Sequence, residues 1–176
     1  MSGAGAPSGG GAGGGAGEPD AAWLERLRQS GIRIDREGEF QHEGEPVRHE
    51  GLRRALYRWL DRLPDGRTVL RLDERRFAFV DVEDTPLVAR AARLEHDAIF
   101  LALSDGSEER LDPATLSVDA AGVMRCQVRG GRLEARLGNS AAAVVGERVD
   151  EGPGGQLRLR LGAATIPLAP RRATPP

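Results

Sequence analysis

The chain has 176 residues, with 25 basic and 27 acidic side chains and a formal net charge of −2 at pH 7. This near balance argues against general binding to nucleic acid, and no apolar run approaches the roughly 20 residues that a membrane-spanning helix needs. A single cysteine excludes a disulfide framework, and because every basic residue is arginine, a lysine-dependent phosphate loop is excluded too.

Both ends of the chain are expected to be disordered. Nine of the first seventeen residues are Gly and four are Ala, and such a stretch loses much backbone entropy on folding while it buries little apolar surface. We therefore predict a disordered Gly/Ala-rich tail over residues 1–19 and a second disordered tail over 170–176. The N-terminus lacks the basic and hydrophobic regions of a secretory signal, which predicts a cytoplasmic protein.

The first half of the foldable chain predicts helices and hairpins in alternation. A helix start signal lies at Asp20, and alternating apolar residues then predict a hairpin over 32–42. The strongest helix signal covers residues 49–63, where leucines and Trp59 recur at helical spacing. A second hairpin is predicted from strands at 68–72 and 76–82.

The next segment predicts a short helix and a third hairpin. Thr85 is a good N-cap and Pro86 suits the first helical position, so a helix is expected to run to about Leu94. Residues 98–103 and 109–111 flank a turn signal and predict the hairpin.

The remainder of the chain repeats a pattern already seen. From Leu116 onward, apolar positions and an Asp-x-x-Gly turn match those from Ile32 onward, and a helical stripe that includes Leu133 and Leu137 follows. The repetition indicates an internal duplication, although two α+β stretches could also agree by chance. The predicted fold class is α+β, with antiparallel strands and with helices packed on one face. It consists of two related hairpin–helix–hairpin units, at residues 20–94 and 95–169.

An acidic cluster is the first candidate site. Asp81 and Glu83 face the same side of a predicted strand, and Asp84 follows them. Several carboxylates together could bind a divalent or other cationic ligand. The alternative is that these acids stabilise the N-terminus of the next helix through its dipole.

The basic face of the 49–63 helix is the second candidate. Arg53, Arg54 and Arg58 project from adjacent turns, and arginine binds carboxylates or phosphates through paired hydrogen bonds. The face therefore predicts an acidic protein or an anionic small ligand as partner. The alternative is a solvated face whose charge is balanced by nearby acids.

No metal, cofactor or catalytic residue is predicted. His42, His49 and His96 lack the spacing of metal ligands, and Cys126 lies in a strand-like run that predicts a buried, unreactive thiol. The glycine pattern of a dinucleotide-binding loop and the Gly-x-Ser-x-Gly motif of a serine nucleophile are both absent from the sequence.

Three segments of the chain form a recognisable combination: the turn at 44–47, the Leu-rich helix, and the segment 80–88, Val-Asp-Val-Glu-Asp-Thr-Pro-Leu-Val. In these segments the chain resembles bacterial domain-of-unknown-function family 1285. In the family this strand ends in Val-Glu-Asp-Ala-Pro-Phe, and here Thr85 and Leu87 replace Ala and Phe. The likeness spans about residues 30–168. It implies an α+β protein with repeated motifs, no established enzymatic activity and a role in signal transduction, and it draws attention to Glu83 and Asp84.

These observations favour a non-enzymatic binding or regulatory domain. One alternative is a small-ligand-binding protein or enzyme that uses the acidic cluster together with an arginine such as Arg53 or Arg58. A second alternative is a scaffold that presents the arginine helix to an acidic partner. Convergence of the carboxylates and arginines in one pocket would favour the small-ligand or enzymatic alternative.

Overall fold

The computed structural model describes residues 29–170. The predicted N-terminal tail, the helix from Asp20 and residues 171–176 lie outside the described residues. Within them, the chain forms two α-helices, sixteen strands and two short 3-10 turns.

A six-stranded sheet is built from the first part of the described chain. Its strands lie in the order β3-β2-β1-β6-β5-β4, and β1 and β6 run parallel at the centre. The elements in chain order are β1 Gln29–Ile34, β2 Phe40–His42, β3 Glu45–Pro46, α1 Glu50–Trp59, β4 Leu60–Arg62, β5 Thr68–Arg71 and β6 Phe77–Val82.

A seven-stranded sheet and a three-stranded sheet follow. The elements are β7 Leu87–Glu95, β8 Ala98–Leu103, β9 Glu108–Arg110, β10 Ser117–Val118, β11 Met124–Val128, β12 Leu133–Leu137, α2 Asn139–Gly146, β13 Val149–Glu151, β14 Leu157–Leu161, β15 Ala164–Pro167 and β16 Ala169–Pro170. The larger sheet has the order β16-β10-β11-β12-β7-β8-β9, and the smaller one is β13-β14-β15.

The α+β class is confirmed, but the strand directions differ from the prediction. Three pairs are parallel, namely β1 with β6, β10 with β16 and β12 with β7. The order of three strands followed by one helix occurs twice, as β1-β2-β3-α1 and as β10-β11-β12-α2. In each of these two sets a later strand, β6 or β16, runs parallel to the first strand of the set. Parallel neighbours need a long crossover connection, and in both sets the helix lies within that connection.

One hydrophobic core runs through both parts of the described chain. It includes Ile34 and Phe40 of the first sheet, Leu101 and Leu133 of the second, and Leu159 of the small sheet. The predicted boundary between residues 94 and 95 falls at the end of β7, beside the tight turn into β8.

The helix predicted from Thr85 to Leu94 is wrong. Residues 87–95 form β7, which pairs antiparallel with β8 and parallel with β12. Leu87, Val88 and Ala89 are all buried, and because successive side chains of a strand point to opposite faces, both faces of the sheet are covered here. These long-range pairings override the local Thr-Pro helix signal.

Two other helix predictions are only partly right. The predicted 49–63 helix ends at Trp59, and Leu60 begins a strand that pairs with β5. Leu133 and Leu137, predicted as part of one helical stripe, lie on β12, and α2 begins only at Asn139. Leu133 and Leu137 are four residues apart, a spacing that places them on one face of a strand as well as on one face of a helix.

The two Asp-x-x-Gly turns have the same hydrogen-bond pattern. Asp35 receives Glu37 N–H and Glu39 N–H on its side chain, and Gly38 N–H donates to its carbonyl. Asp119 makes the matching three bonds at the turn between β10 and β11. Because the aspartate side chain accepts backbone N–H groups of its own turn, an Asp-x-x-Gly sequence favours a hairpin at both places.

Gly38 gives a stability prediction with an internal control. Its φ is +80°, and a β-carbon there would lie 3.0 Å from Val88 Cγ2. Gly44 has φ +86° with open space around the same position. Either Gly→Ala change should cost about 1–2 kcal/mol from the left-handed backbone, and Gly38→Ala should cost about 1 kcal/mol more from overlap. Urea unfolding measures both, and equal losses would contradict this account.

Candidate functional site

The chain crosses from one sheet to the other between β6 and β7, at residues 83–86. Thr85 in this crossing is only 1% exposed. Its hydroxyl donates to the Leu87 carbonyl at 2.8 Å and accepts the Arg136 N–H at 3.2 Å. The buried hydroxyl thus joins the crossing to β12 and fixes the position of its neighbour Asp84.

Asp84 lies between two arginines of the second sheet. Its carboxylate is 2.8 Å from Arg125 Nη2 and 3.0 Å from Arg136 Nε. Arg125 and Arg136 are direct cross-strand partners on β11 and β12, and like charges placed opposite each other destabilise a sheet. The Asp84 carboxylate offsets this repulsion.

Arg125 also contacts the turn of its own hairpin. Its Nη1 donates to Asp119 Oδ2 at 2.6 Å. Burial of Arg125 disfavours its charge, but hydrogen bonds to Asp84 and Asp119 outweigh burial and raise the pKa of its guanidinium. The same hydrogen bond from Arg125, helped by the Val123 N–H, lowers the pKa of Asp119.

These groups line a cavity that we call the junction pocket. Its volume is about 260 Å³, and it is lined by Arg36, Glu83, Asp84, Val123, Arg125 and Arg136. The residues come from the first Asp-x-x-Gly turn, the crossing, and strands β11 and β12 with the turn that precedes them. The pocket therefore exists only because the two sheets meet at the crossing.

The arginines of the junction pocket keep unused hydrogen-bonding capacity. Arg36 is 67% exposed and approaches Glu83 only at 3.8 Å. The Nε atoms of Arg125 and Arg136 are buried and make no hydrogen bond within residues 29–170. For Arg136 this holds although Nε is close to Asp84, because the N–H is not aligned with the carboxylate oxygen.

The predicted acidic cluster is divided between two places. Glu83 and Asp84 line the junction pocket, where Glu83 also pairs with Arg33 at 3.3 Å. Asp81 is exposed and lines a different groove, of about 540 Å³, between β1 and β6. The carboxylates of the cluster therefore do not converge on one point.

The predicted arginine face lies on α1, away from the junction pocket. Arg53 pairs with Glu39 at 3.4 Å, and Arg54 pairs with Glu50 on the helix surface. Arg58 lies 6.0 Å from the centre of the Trp59 ring. None of these three arginines lines the pocket that contains Glu83 and Asp84.

The arginines that do line the pocket were not singled out from the sequence. Arg125 and Arg136 occupy the alternate positions of two strands whose other residues, such as Cys126 and Ala135, are buried. A charged residue in such a strand faces away from the core. This alternation of buried and exposed residues could have indicated that Arg125 and Arg136 face away from the core. It does not indicate which strands pair with each other or that Asp84 lies beside the two arginines.

Cys126 and the histidines show no catalytic arrangement. Cys126 is buried as predicted, and burial raises the pKa of its thiol to about 12, so the reactive thiolate is absent at neutral pH. His49 caps α1 by accepting the Leu52 N–H. Within residues 29–170 no group of His, Cys, Asp and Glu could hold a metal ion, and no helix there is long and apolar enough to cross a membrane.

Arg129 combines an ion pair within the second part of the chain with a hydrogen bond to the first part. Arg129 Nη2 is 2.6 Å from Asp105 Oδ2, and its Nη1 donates to the Leu60 carbonyl at 3.0 Å. Asp105 is 6% exposed. Its burial opposes ionisation, but hydrogen bonds from Ser107 and Arg129 outweigh burial and lower the pKa of its carboxyl.

The described chain is therefore an α+β protein in which two mixed sheets share one core and are joined at a charged crossing. Two solved structures share this fold. A DUF1285 family protein from Silicibacter pomeroyi has a TM-score of 0.65 and 19% identity, over 80% of this chain and 80% of that one. A DUF1285 family protein from Shewanella baltica has a TM-score of 0.51 and 18% identity, over 61% of this chain and 84% of that one.

The chain thus has the fold of DUF1285 family proteins, and the resemblance seen in the sequence is confirmed at the level of the fold. No family model and no curated protein matches the sequence.

Removing the charge of Asp84 should destabilise the protein strongly. Asp84→Asn leaves two largely buried, facing arginines without their shared carboxylate, and breaking such a contact costs about 3 kcal/mol. Asp81→Asn is the matched control on the same chain segment, and its effect should stay within about 0.5 kcal/mol because Asp81 is exposed. Unfolding in urea measures both variants, and a similar loss from both would refute the role given to Asp84.

The lowered pKa of Asp105 predicts a loss of stability in acid. The folded-state pKa lies below the unfolded one, so this carboxylate contributes stability above about pH 3.9. That contribution is lost as the pH falls through the folded-state pKa. At pH 7 the native protein should therefore be more stable than Asp105→Asn, and the difference should shrink towards pH 3. Urea unfolding across this range measures the difference, and a constant gap would contradict the assignment.

Proposed function

We propose that this protein is a non-enzymatic binding module and that the junction pocket is its ligand site. The observation that carries the proposal is the convergence of three guanidinium groups, from Arg36, Arg125 and Arg136, on one cavity. The segment that resembles family 1285 most specifically, Glu83-Asp84-x-Pro86, provides two of the other lining residues. Binding there, rather than catalysis, agrees with the signalling role that the resemblance implies.

The charges around the junction pocket favour an anionic ligand. Four arginines are involved when Arg33 is included, and they face three carboxylates, those of Glu83, Asp84 and Asp119. One positive charge is left in excess. Arg36 is the most exposed of the arginines, so it is the natural first contact for an incoming carboxylate or phosphate, which arginine binds through two parallel hydrogen bonds.

The size of the pocket restricts the ligand. A volume of about 260 Å³ lies just below the range of roughly 300–1,000 Å³ that is typical of pockets for drug-sized ligands. A small carboxylate or a phosphate group fits this space, whereas a whole nucleotide would extend beyond it. The ligand class is therefore a small anion or the anionic end of a larger molecule.

The enzymatic alternative has less support. Asp84 is engaged by two arginines and Glu83 by Arg33 and Arg36, so neither carboxylate is poised as a general base. The scaffold alternative also has less support, because Arg53 and Arg54 are paired within the chain.

We also propose that the two sets of elements arose by duplication, with repeats at about 20–94 and 95–169. The support is the shared order of three strands and a helix, the parallel return strand, and the two aspartate-capped turns. The matching elements occupy residues 29–82 and 117–170, and β7, β8 and β9, which straddle the boundary between the two repeats, lie outside the match. A cytoplasmic location remains part of the proposal, on the grounds of the sequence.

The proposal is tested with inorganic phosphate and malonate as probes, with sodium chloride at equal ionic strength as the reference. A ligand that binds only the native state stabilises it by RT ln(1 + [L]/Kd), so the melting temperature rises with ligand concentration. We expect saturable binding in calorimetry, weakened about tenfold by Arg36→Gln, because a charged hydrogen bond is lost.

Arg75→Gln is the control, since Arg75 is exposed in the turn between β5 and β6. It should bind both probes as the native protein does. No saturable binding, or equal weakening by both variants, would refute the junction pocket as an anion site.

A further inference from the structure

Glu83 is the more weakly held of the two carboxylates that line the junction pocket. Its contacts are with Arg33 at 3.3 Å and Arg36 at 3.8 Å, and the side chains of these arginines are 55% and 67% exposed. Ion pairs between exposed side chains contribute little to stability. The Glu83 backbone is fixed separately, because its N–H donates to the Ile34 carbonyl at 2.9 Å. The side chain can therefore leave the pocket while the backbone of the crossing stays in place.

Asp84, the other lining carboxylate, is held firmly. Its contacts with Arg125 and Arg136 are 2.8 Å and 3.0 Å long, and its side chain is only 17% exposed. The two arginines are cross-strand neighbours, and Asp84 offsets their repulsion. An anion that enters the pocket would therefore displace Glu83 and leave Asp84 where it is.

Arg36 is placed to receive such an anion. Arg136 Nη2 donates to the Arg36 carbonyl at 2.6 Å, which ties the backbone of the first Asp-x-x-Gly turn to β12. Within residues 29–170, Glu83 is the one ion-pair partner of the Arg36 guanidinium. A carboxylate tethered beside Arg36 competes as an intramolecular ligand with any anion from solution.

Without the Glu83 carboxylate, the pocket has an excess of two positive charges. It is then lined by three arginines and one aspartate. The wider set, which includes the ion-pair partners Arg33 and Asp119, has four arginines and two aspartates and gives the same excess. A dianion balances this charge, whereas a monoanion only replaces the carboxylate that it displaces.

We propose that the ligand of the junction pocket is a small phosphate monoester in its dianionic form, which binds by displacing Glu83 from Arg36. The inference rests on the proposed function, since it takes the junction pocket as the anion site. A phosphate monoester carries a charge between roughly −1.5 and −2 at pH 7 and three acceptor oxygens on one group, and arginine binds phosphate through two parallel hydrogen bonds. The cavity of about 260 Å³ restricts the rest of the ligand to a small group.

Methyl phosphate is the probe, and dimethyl phosphate, with the same phosphorus centre but one negative charge, is its control. Calorimetry of the native protein at about pH 8, where the monoester is a dianion, should show saturable binding of methyl phosphate. Dimethyl phosphate and acetate should bind at least about tenfold more weakly. Equal affinities for methyl and dimethyl phosphate, or tighter binding of malonate than of methyl phosphate, would overturn the proposed ligand class. No saturable binding of any of these anions would instead refute the junction pocket as an anion site.

Glu83→Gln tests the displacement, and Glu37→Gln is its matched control. Removal of the tethered competitor should strengthen methyl phosphate binding about three- to fivefold. Glu37 is exposed in the same turn as Arg36 and does not line the pocket. Glu37→Gln removes the same charge and should leave the affinity within about twofold of the native value. Equal gains in both variants, or no gain in either, would refute Glu83 as the competitor.

The gain should depend on Arg36, because Glu83 competes for that residue. In an Arg36→Gln background, Glu83→Gln should therefore strengthen binding by less than about twofold. Arg36 and Glu83 are both exposed, so the variants should keep the native circular dichroism spectrum. A full gain in the Arg36→Gln background would show that Glu83 acts through its charge alone, and it would overturn the displacement.

Discussion

The structure depends on the crossing at residues 83–86, where the chain leaves one sheet and enters the other. Thr85 is buried there and bonds to Leu87 of β7 and Arg136 of β12, both in the second sheet. The Glu83 N–H donates to the Ile34 carbonyl of β1 in the first sheet, so the crossing is bonded to both sheets. A single hydrophobic core can form only if the relative position of the sheets is kept, because its members come from both sheets. The crossing therefore connects local chain geometry with the packing of the whole described chain.

Charge reinforces the same junction. Two arginines face each other across neighbouring strands, which is unfavourable unless a carboxylate intervenes, and Asp84 provides it from the crossing. An ion network of this kind is weak evidence for stability as such, yet loss of one member is costly because it leaves buried charge uncompensated. The same arrangement leaves a cavity with an excess of guanidinium groups. Structural and ligand-binding roles can thus share these residues, with Asp84 holding the network and Arg36 facing solvent.

The two sets of strands share the same topology. A strand that returns parallel to the first of its set cannot be reached by a tight turn, and α1 and α2 lie within the two connections that make the return. Helix α1 packs through the buried Leu56 and Tyr57, whereas Leu52, one turn earlier, is 46% exposed. The junction pocket arises elsewhere, where the two sheets meet.

The sequence by itself determined the hairpins, the aspartate-capped turns and the α+β class, because these depend on residues a few positions apart. It also identified Glu83 and Asp84, through the segment that resembles family 1285. Only the tertiary structure decided that residues 87–95 form a strand, since that segment is stabilised by β8 and by the distant β12. The tertiary structure also decided which arginines line the junction pocket. Arg36, Arg125 and Arg136 are separated by up to one hundred residues, and their convergence is a property of strand pairing that no local pattern contains.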